Sequence, residues 1–153
     1  MSHPYYLPIK YGPVSVGKPL TNKMGYNFGY GRTITVMYSC DQLDHNGTVL
    51  SEEKILVVKD WILEEWEDKV ILDSNHSYLS MFETLQELGG IDITIIPDQY
   101  NSDLKSCCKY LYDKLNQLVQ LGSRGRVWIV EIEIIEHRES FGFKTERYFS
   151  AHK

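Results

Sequence analysis

The stretch RVWIVEIEIIEH, Arg126 to His137, decides the fold of this chain because it is a long strand with two unlike faces. The two-residue period of a strand puts four apolar side chains on one face: Trp128, Val130, Ile132 and Ile134. Glu136 continues that face, whereas the opposite face mixes apolar with acidic residues. This pattern is typical of an antiparallel sheet that helices cover on one side. Glu136 is therefore either a solvated glutamate at a strand end or a carboxylate kept for a ligand.

The composition excludes several classes of protein. A chain of 153 residues with 42% hydrophobic and 24% charged residues is expected to form one globular domain. The net charge of -5 and the lack of a basic cluster argue against a nucleic-acid partner. No apolar run approaches the roughly 20 residues that cross a bilayer, and the first residues do not resemble a signal peptide. Three cysteines, an odd number, favour reduced thiols, so we expect a cytoplasmic protein without membrane contact.

The first part of the sequence predicts an irregular segment, a strand and a helix. Residues 1–31 are rich in glycine, proline and tyrosine, which indicates loops with at most a short strand near residues 14–16. Residues 32–39 alternate in polarity and predict a half-buried strand. Ser51 has the features of a helix N-cap. The apolar stripe of this helix extends it to about Leu72 and consists of Val58, Trp61, Ile62, Trp66 and Val70.

The second part predicts a further helix and a final hairpin. Residues 74–91 are expected to hold a helical turn or two, followed by a short strand at residues 92–96. A long helix is predicted to start at Asn101 or Ser102, with Asn101 read first as its N-cap, and to end at Gly122. A last strand at residues 141–149 pairs with the opening stretch. The order ββααββ predicts a single α+β domain, with four antiparallel strands and two helices on one face.

This order is that of the T-fold, and four motifs resemble the 6-pyruvoyltetrahydropterin synthase and 6-carboxytetrahydropterin synthase family. RTITVMY, residues 32–38, with the loop and helix after it, resembles the second strand and first helix of the family. SNHSYLS, around His76, resembles its Leu-Asp-His-x-x-Leu-Asn motif. PDQYN, ending in Asn101, resembles its Pro-Thr-x-Glu-Asn motif. VEIEIIEH places Glu136 at the glutamate that anchors the pterin.

The chain departs from this family at the zinc-binding positions. The family holds zinc through three histidines, and its His-x-His is replaced here by Phe28-Gly29-Tyr30, whose aromatic rings are not zinc ligands. No cysteine precedes this segment to supply the family's catalytic thiol. The C-terminal string YFSAHK resembles the family's first strand and would bring His152 to a metal only in a permuted arrangement. Zinc is thus the cofactor that the resemblance implies, but we assign no residue as a metal ligand.

Two residues are candidates for catalysis. His76 is the candidate general acid or base, because an imidazole titrates near neutrality. Asn75 replaces the family's aspartate, so Asp73 is the carboxylate that would orient His76 if the loop is rebuilt. The alternative is that His76 only caps the first helix or stabilises its loop.

Four residues are candidates for ligand binding. Glu136 would pair with adjacent N–H donors of a pterin or a guanine. Asn101 has a lesser expected role, after that of helix cap. Tyr30 and Phe28, contributed by a neighbouring subunit, would stack on a flat heterocycle.

These observations leave three hypotheses for function. The first is a lyase of the resembled family, acting on dihydroneopterin triphosphate. The second is a divergent, zinc-free member that binds a pterin- or purine-like molecule at a subunit interface, and the residues favour it. The third is a structural subunit with a vestigial site. The resemblance also implies self-association into a ring or stacked rings, because an open sheet has edges that need partners.

Overall fold

The computed structural model describes residues 3–21 and 23–138 in full and the backbone of residues 142–149. These residues form a mixed α+β structure with six strands and three helices. The strands are β1 Tyr5–Pro19, β2 Tyr26–Cys40, β3 Lys69–Asp73, β4 Ile93–Ile96, β5 Val127–Arg138 and β6 Gly142–Phe149. The helices are α1 Glu52–Trp66, α2 Leu79–Glu87 and α3 Leu104–Gly122. No helix within the described ranges is both long and apolar enough to cross a membrane.

One sheet contains all six strands in the order β4-β3-β1-β2-β5-β6. β2 is antiparallel to both of its neighbours, β1 and β5, and β6 is antiparallel to β5. β3 and β4 run parallel to β1 at the other side of the sheet. The core lies between alternate residues of the long strands and the apolar stripes of α1 and α3. The predicted sheet of four antiparallel strands therefore corresponds to β1, β2, β5 and β6. It does not include the parallel strands β3 and β4, of which only β4 is predicted as a short strand.

The largest correction concerns the N-terminal segment that the sequence predicts to be irregular: its residues 5–19 form β1 and its residues 26–31 begin β2, so the two make a long hairpin. β1 contains a bulge at Gly12-Pro13, where the register with β2 shifts between Tyr11 and Val14. Gly12 has a φ of 101°, and a side chain there would meet the Arg32 carbonyl oxygen at 2.7 Å. In the described part of the sheet, β3 pairs only with residues 16 and 17 of β1, so it leaves the rest of that edge of β1 uncovered. The strand can therefore contain glycine and proline, because the bulge accommodates Gly12 and Pro13 and the other prolines lie near the strand ends or along the uncovered edge.

The end of α1 also differs from the prediction. Asp68 takes a left-handed conformation, with φ of 58°, and its N–H donates to the Ser15 carbonyl oxygen at 2.7 Å. The helix therefore ends at Trp66, and Val70 and Leu72 belong to β3 instead of the helical stripe. An apolar run this short is compatible with helix or strand, and the pairing with β1 decides between them.

Two further predictions on local structure change. The N-cap of α3 is Asp103, whose carboxylate accepts from the Ser106 N–H at 3.0 Å, so Asn101 is not the cap. A bulge in β5 places Met37 opposite Glu131 and Tyr38 opposite Ile129. As a result, Val127 and Ile129 share the core face with Ile132, Ile134 and Glu136, Val130 is the extra residue of the bulge, and Trp128 lies on the opposite face, where it is also buried. The N-cap at Ser51, the helix within residues 74–91, the short strand β4 and the end of α3 at Gly122 are confirmed.

Candidate functional site

A cleft of about 650 Å³ opens at one end of the strands of the sheet. The strands β1, β3, β4 and β5 all run in the same direction, so all four have their carboxyl ends at this end of the sheet. The cleft is lined by the end of β1, the start of the β2 core face, and the loops that follow β3 and β4. Its polar lining includes Lys18, Arg32, Asp73, His76 and Asn101. A volume of this size is within the range of small-molecule sites.

Glu136 lies beside this cleft in a buried cluster of charges. Its side chain is only 4% exposed, which rules out the solvated strand-end alternative. The Lys18 ammonium lies 2.7 Å from Oε1 and 2.8 Å from Oε2, so it contacts both carboxylate oxygens. Arg32 stands opposite Glu136 in the β2–β5 pairing, and its Nε is 3.6 Å from Oε1. Glu136 is thus the counterion of two cations from two other strands.

Arg32 is buried as completely as a core residue, with 1% of its surface exposed. Its guanidinium lies over the Trp66 ring at 4.6 Å from the ring centre, a cation–π arrangement that holds the side chain in place. Nη1 donates to the Cys107 sulfur at 3.7 Å, and Nε finds no hydrogen-bond partner in residues 3–21 and 23–138. Burial raises the pKa of the Cys107 thiol, an effect that Arg32 opposes. A neutral thiol is a weak acceptor, so most of the five donors of this guanidinium remain without a strong partner among the described residues.

His76 lies in the turn between β3 and α2, half-buried at the wall of the cleft. The Tyr78 N–H donates to His76 Nδ1 at 3.1 Å, so a neutral imidazole keeps its proton on Nε2. The Phe82 ring meets the imidazole edge to face at 5.7 Å. These contacts fix the orientation of the ring and leave Nε2 as its second polar atom.

Asp73 is held by the start of α3 rather than by His76. Both of its carboxylate oxygens accept from Ser102, one from the backbone N–H and one from the hydroxyl, the latter at 3.0 Å. This carboxylate ties the loop after β4 to the end of β3. Asn101 lines the cleft next to that connection.

Tyr30 and Phe28 occupy β2, and neither lines the cleft. Phe28 packs on Gly17, whose missing side chain makes room for the ring. Tyr30 lies between two cations, with the Lys18 ammonium at 4.8 Å and the Arg138 guanidinium at 5.0 Å from its ring centre. The segment that was expected to be a free loop reaching a neighbour is therefore a strand whose aromatic rings contact their own chain.

The architecture matches several solved structures along almost the whole chain. An uncharacterized protein from Wolinella succinogenes superposes with a TM-score of 0.72 at 12% sequence identity, covering 97% of this chain and 99% of the other. The 6-pyruvoyltetrahydropterin synthase from Plasmodium vivax gives 0.61 at 9% identity, with 97% and 99% covered. The Plasmodium falciparum enzyme gives 0.60 at 9% identity, with 98% and 100% covered.

The fold is that of 6-pyruvoyltetrahydropterin synthase. At these identities the likeness shows the fold alone. No protein-family model matches the sequence. No curated protein matches it either.

The zinc site that the synthase resemblance implies does not fit the residues of this chain. Within residues 3–21 and 23–138 there is no group of three or more histidine, cysteine, aspartate or glutamate side chains arranged to hold a metal. Phe28 and Tyr30, at the His-x-His position, point to other contacts, and His76 is the single imidazole lining the cleft within these ranges. His152 lies outside the described residues. We derive no chemical step through zinc.

Three residues at the cleft are not predicted from the sequence. Lys18 belongs to a segment that was expected to be irregular, and Ser102 contacts Asp73 only through the tertiary structure. The position of Arg32 on the core face is predictable, because the alternation of β2 places it on the same face as Ile34 and Val36. A charged residue that extends an apolar strand face requires a partner, and Glu136 extends the face of β5 in the same way.

Proposed function

We propose that this protein binds a pterin- or purine-like heterocycle in the cleft at the carboxyl ends of β1, β3, β4 and β5, without zinc chemistry. The observation that carries the proposal is the buried Lys18–Glu136–Arg32 cluster beside that cleft. Three residues predicted for the site, Asp73, His76 and Asn101, line the same cleft, which further supports it. The fold is compatible with this role, since 6-pyruvoyltetrahydropterin synthases share it.

The cleft has the chemical groups that a flat, polar ring system requires. Arg32 and Lys18 supply donors, Asn101 supplies a donor and an acceptor, and His76 supplies Nε2. Tyr78 and His76 bring two aromatic rings to the wall, and stacking on an aromatic side chain contributes about 1–3 kcal/mol per ring in nucleic-acid complexes. Such a site recognises a heterocycle through its edge and its face.

Binding without turnover is favoured over lyase activity by the state of the two catalytic candidates. A general base needs a free nitrogen and an orienting partner. His76 uses Nδ1 to accept from Tyr78, and Asp73 uses both oxygens for Ser102. The pair is therefore not coupled in the manner that proton transfer requires.

Self-association remains part of the proposal. β4 and β6 are the outer strands of the described sheet, and unpaired strand edges favour pairing with another copy. We expect a ring whose copies bring additional residues to the mouth of the cleft. Sedimentation of the purified protein would test this, and a monomer at all concentrations would contradict it.

Calorimetric titration with pterin, guanosine and xanthine tests the binding proposal. We expect at least one of these ligands to bind, and His76→Ala to weaken that binding while the exposed His45→Ala does not. Absence of binding for the whole panel would reject the proposal in favour of a structural role.

Metal analysis of the same preparation tests the zinc-free part: stoichiometric zinc that is lost in His76→Ala or His152→Ala would overturn it.

A further inference from the structure

Glu136 is not one of the described residues that line the cleft, and a cation already engages its carboxylate. Oε2 accepts from the Lys18 ammonium at 2.8 Å, Oε1 lies 2.7 Å from the same ammonium but has no hydrogen bond among the described residues, and the side chain is 4% exposed. A ligand that offers N–H donors to Glu136 would have to compete with Lys18 for this carboxylate. A buried charge that loses its partner is strongly unfavourable. The donor edge of a heterocycle is therefore a poor match for this cluster.

Arg32 lines the cleft, and most of its donors lack a strong acceptor among the described residues. The guanidinium is 1% exposed and lines the cleft, and its polar contacts in the described structure are a thiol sulfur at 3.7 Å and Glu136 at 3.6 Å. Within the described part of the chain, Nε is buried without a hydrogen bond. Buried polar groups in folded proteins are almost always satisfied by protein, water or ligand. The Trp66 ring beneath the guanidinium keeps the plane of the fork fixed.

We propose that Arg32, assisted by Lys18, reads the acceptor edge of the ligand, and that Glu136 serves as their internal counterion. The inference rests on the proposed function and specifies its ligand class. A guanidinium fork matches two neighbouring acceptors, and its pairing with the O6 and N7 of guanine is a frequent example. A 6-oxopurine presents O6 next to N7, and a 4-oxopterin presents O4 next to N5. The site therefore takes an oxo-heterocycle with a ring nitrogen beside its carbonyl oxygen.

Two matched analogue series separate this arrangement from anchoring by Glu136. Guanosine is compared with 7-deazaguanosine, which lacks the N7 acceptor, and with inosine, which lacks the 2-amino donor. Pterin is compared with 5-deazapterin and 2-deaminopterin in the same way. Calorimetry on the full chain is expected to show that loss of the ring nitrogen weakens binding roughly tenfold or more, while loss of the amino group changes it by less than about threefold.

Variants give a second readout. Arg32→Lys keeps the positive charge and loses the fork, so it is expected to bind the parent and its deaza analogue equally. Arg126→Lys is the matched control, because Arg126 bonds to the carbonyl oxygens of Gln42 and Val49 at the amino end of β5, and it should retain the discrimination. Thermal unfolding verifies that each variant is folded, and the analogue series on the wild-type chain decides the question if Arg32→Lys is not.

The outcomes separate the inference from the function on which it rests. If the amino group matters and the ring nitrogen does not, Glu136 is the anchor and the inference fails while the proposed function stands. If benzoate binds as tightly as the heterocycles, the fork recognises a simple carboxylate and the inference also fails. If neither guanosine nor pterin binds the wild-type chain, the proposed function fails and the inference fails with it.

Discussion

Replacing Glu136 with glutamine is the perturbation that most directly tests the charge cluster. The substitution keeps the volume of the side chain and removes its charge. Lys18 is 33% exposed and can turn towards water, but Arg32 is 1% exposed and has no such alternative. The cost of the substitution therefore comes from a buried guanidinium that has lost its counterion.

The magnitude follows from the distance between the charges. Two unit charges 3.6 Å apart interact by about 5 kcal/mol at an effective dielectric constant of about 20. The amide oxygen of glutamine retains part of this interaction as a hydrogen-bond acceptor. We therefore expect Glu136→Gln to lower the free energy of unfolding by about 3 kcal/mol, at the lower end for breaking a buried pair. For a chain of this size that corresponds to a decrease in Tm of about 6–12 °C.

Urea unfolding followed by fluorescence, with calorimetric Tm as a check, measures this effect. Glu131→Gln is the matched control, because it removes the same charge from a half-buried position on the same strand and should cost less than about 1 kcal/mol. Lys18→Met should also cost only about 1 kcal/mol, since Glu136 would still be paired with Arg32. A loss below about 1 kcal/mol for Glu136→Gln, or an equal loss for Lys18→Met, would refute the reasoning that the buried arginine sets the cost.

Three further predictions concern other parts of the molecule. Burial raises the pKa of Tyr11 from 10.0 to about 12, so the folded state holds this proton more tightly and stability should fall as the pH rises from about 10 to 12. Tyr11→Phe should reduce that decline in urea unfolding without abolishing it, because burial also raises the pKa of Tyr38 and Tyr110, whereas Tyr6→Phe, at an exposed position, should leave it unchanged. Phe82→Ala should cost about 3–4 kcal/mol, because the ring is fully buried, while Met81→Ala on the exposed side of α2 should cost less than about 0.5 kcal/mol. The three cysteines are buried, so Ellman's reagent should react with them slowly in the native protein and with all three thiols in urea.

Each of these three predictions would be contradicted by a specific result. An unchanged pH profile in Tyr11→Phe would show that another group controls alkaline unfolding. Equal losses for the two α2 variants would mean that the helix does not pack as described. Fast modification of a native thiol would show that the core opens on the time scale of the reaction.

Local patterns in the sequence predict much of the fold because each depends on neighbours within the same element. The alternation of residues 32–39 and 126–137 yields β2 and β5, and Ser51 marks the start of α1. The amphipathic stripe of α3 and its end at Gly122 follow from the helical period. The position of Glu136 on the core face was also predictable, although the bulge in β5 changes which residues accompany it.

The features that the sequence did not reveal depend on partners far away along the chain. β3 is a strand because Val70 pairs with Gly17 on one side and Ile93 on the other, and its own five residues suit either structure. β1 accommodates its glycines and prolines through a bulge that only the register with β2 defines.

The sequence by itself determined the α+β class, the long strands β2 and β5, two of the helices and a carboxylate at the end of an apolar face. Only the tertiary structure decided what that carboxylate contacts. Lys18 and Glu136 are 118 residues apart, and they meet because β1 and β5 run in the same direction on either side of β2. Periodicity reports the face on which a side chain lies, whereas the strand order and register determine the charge that lies opposite it.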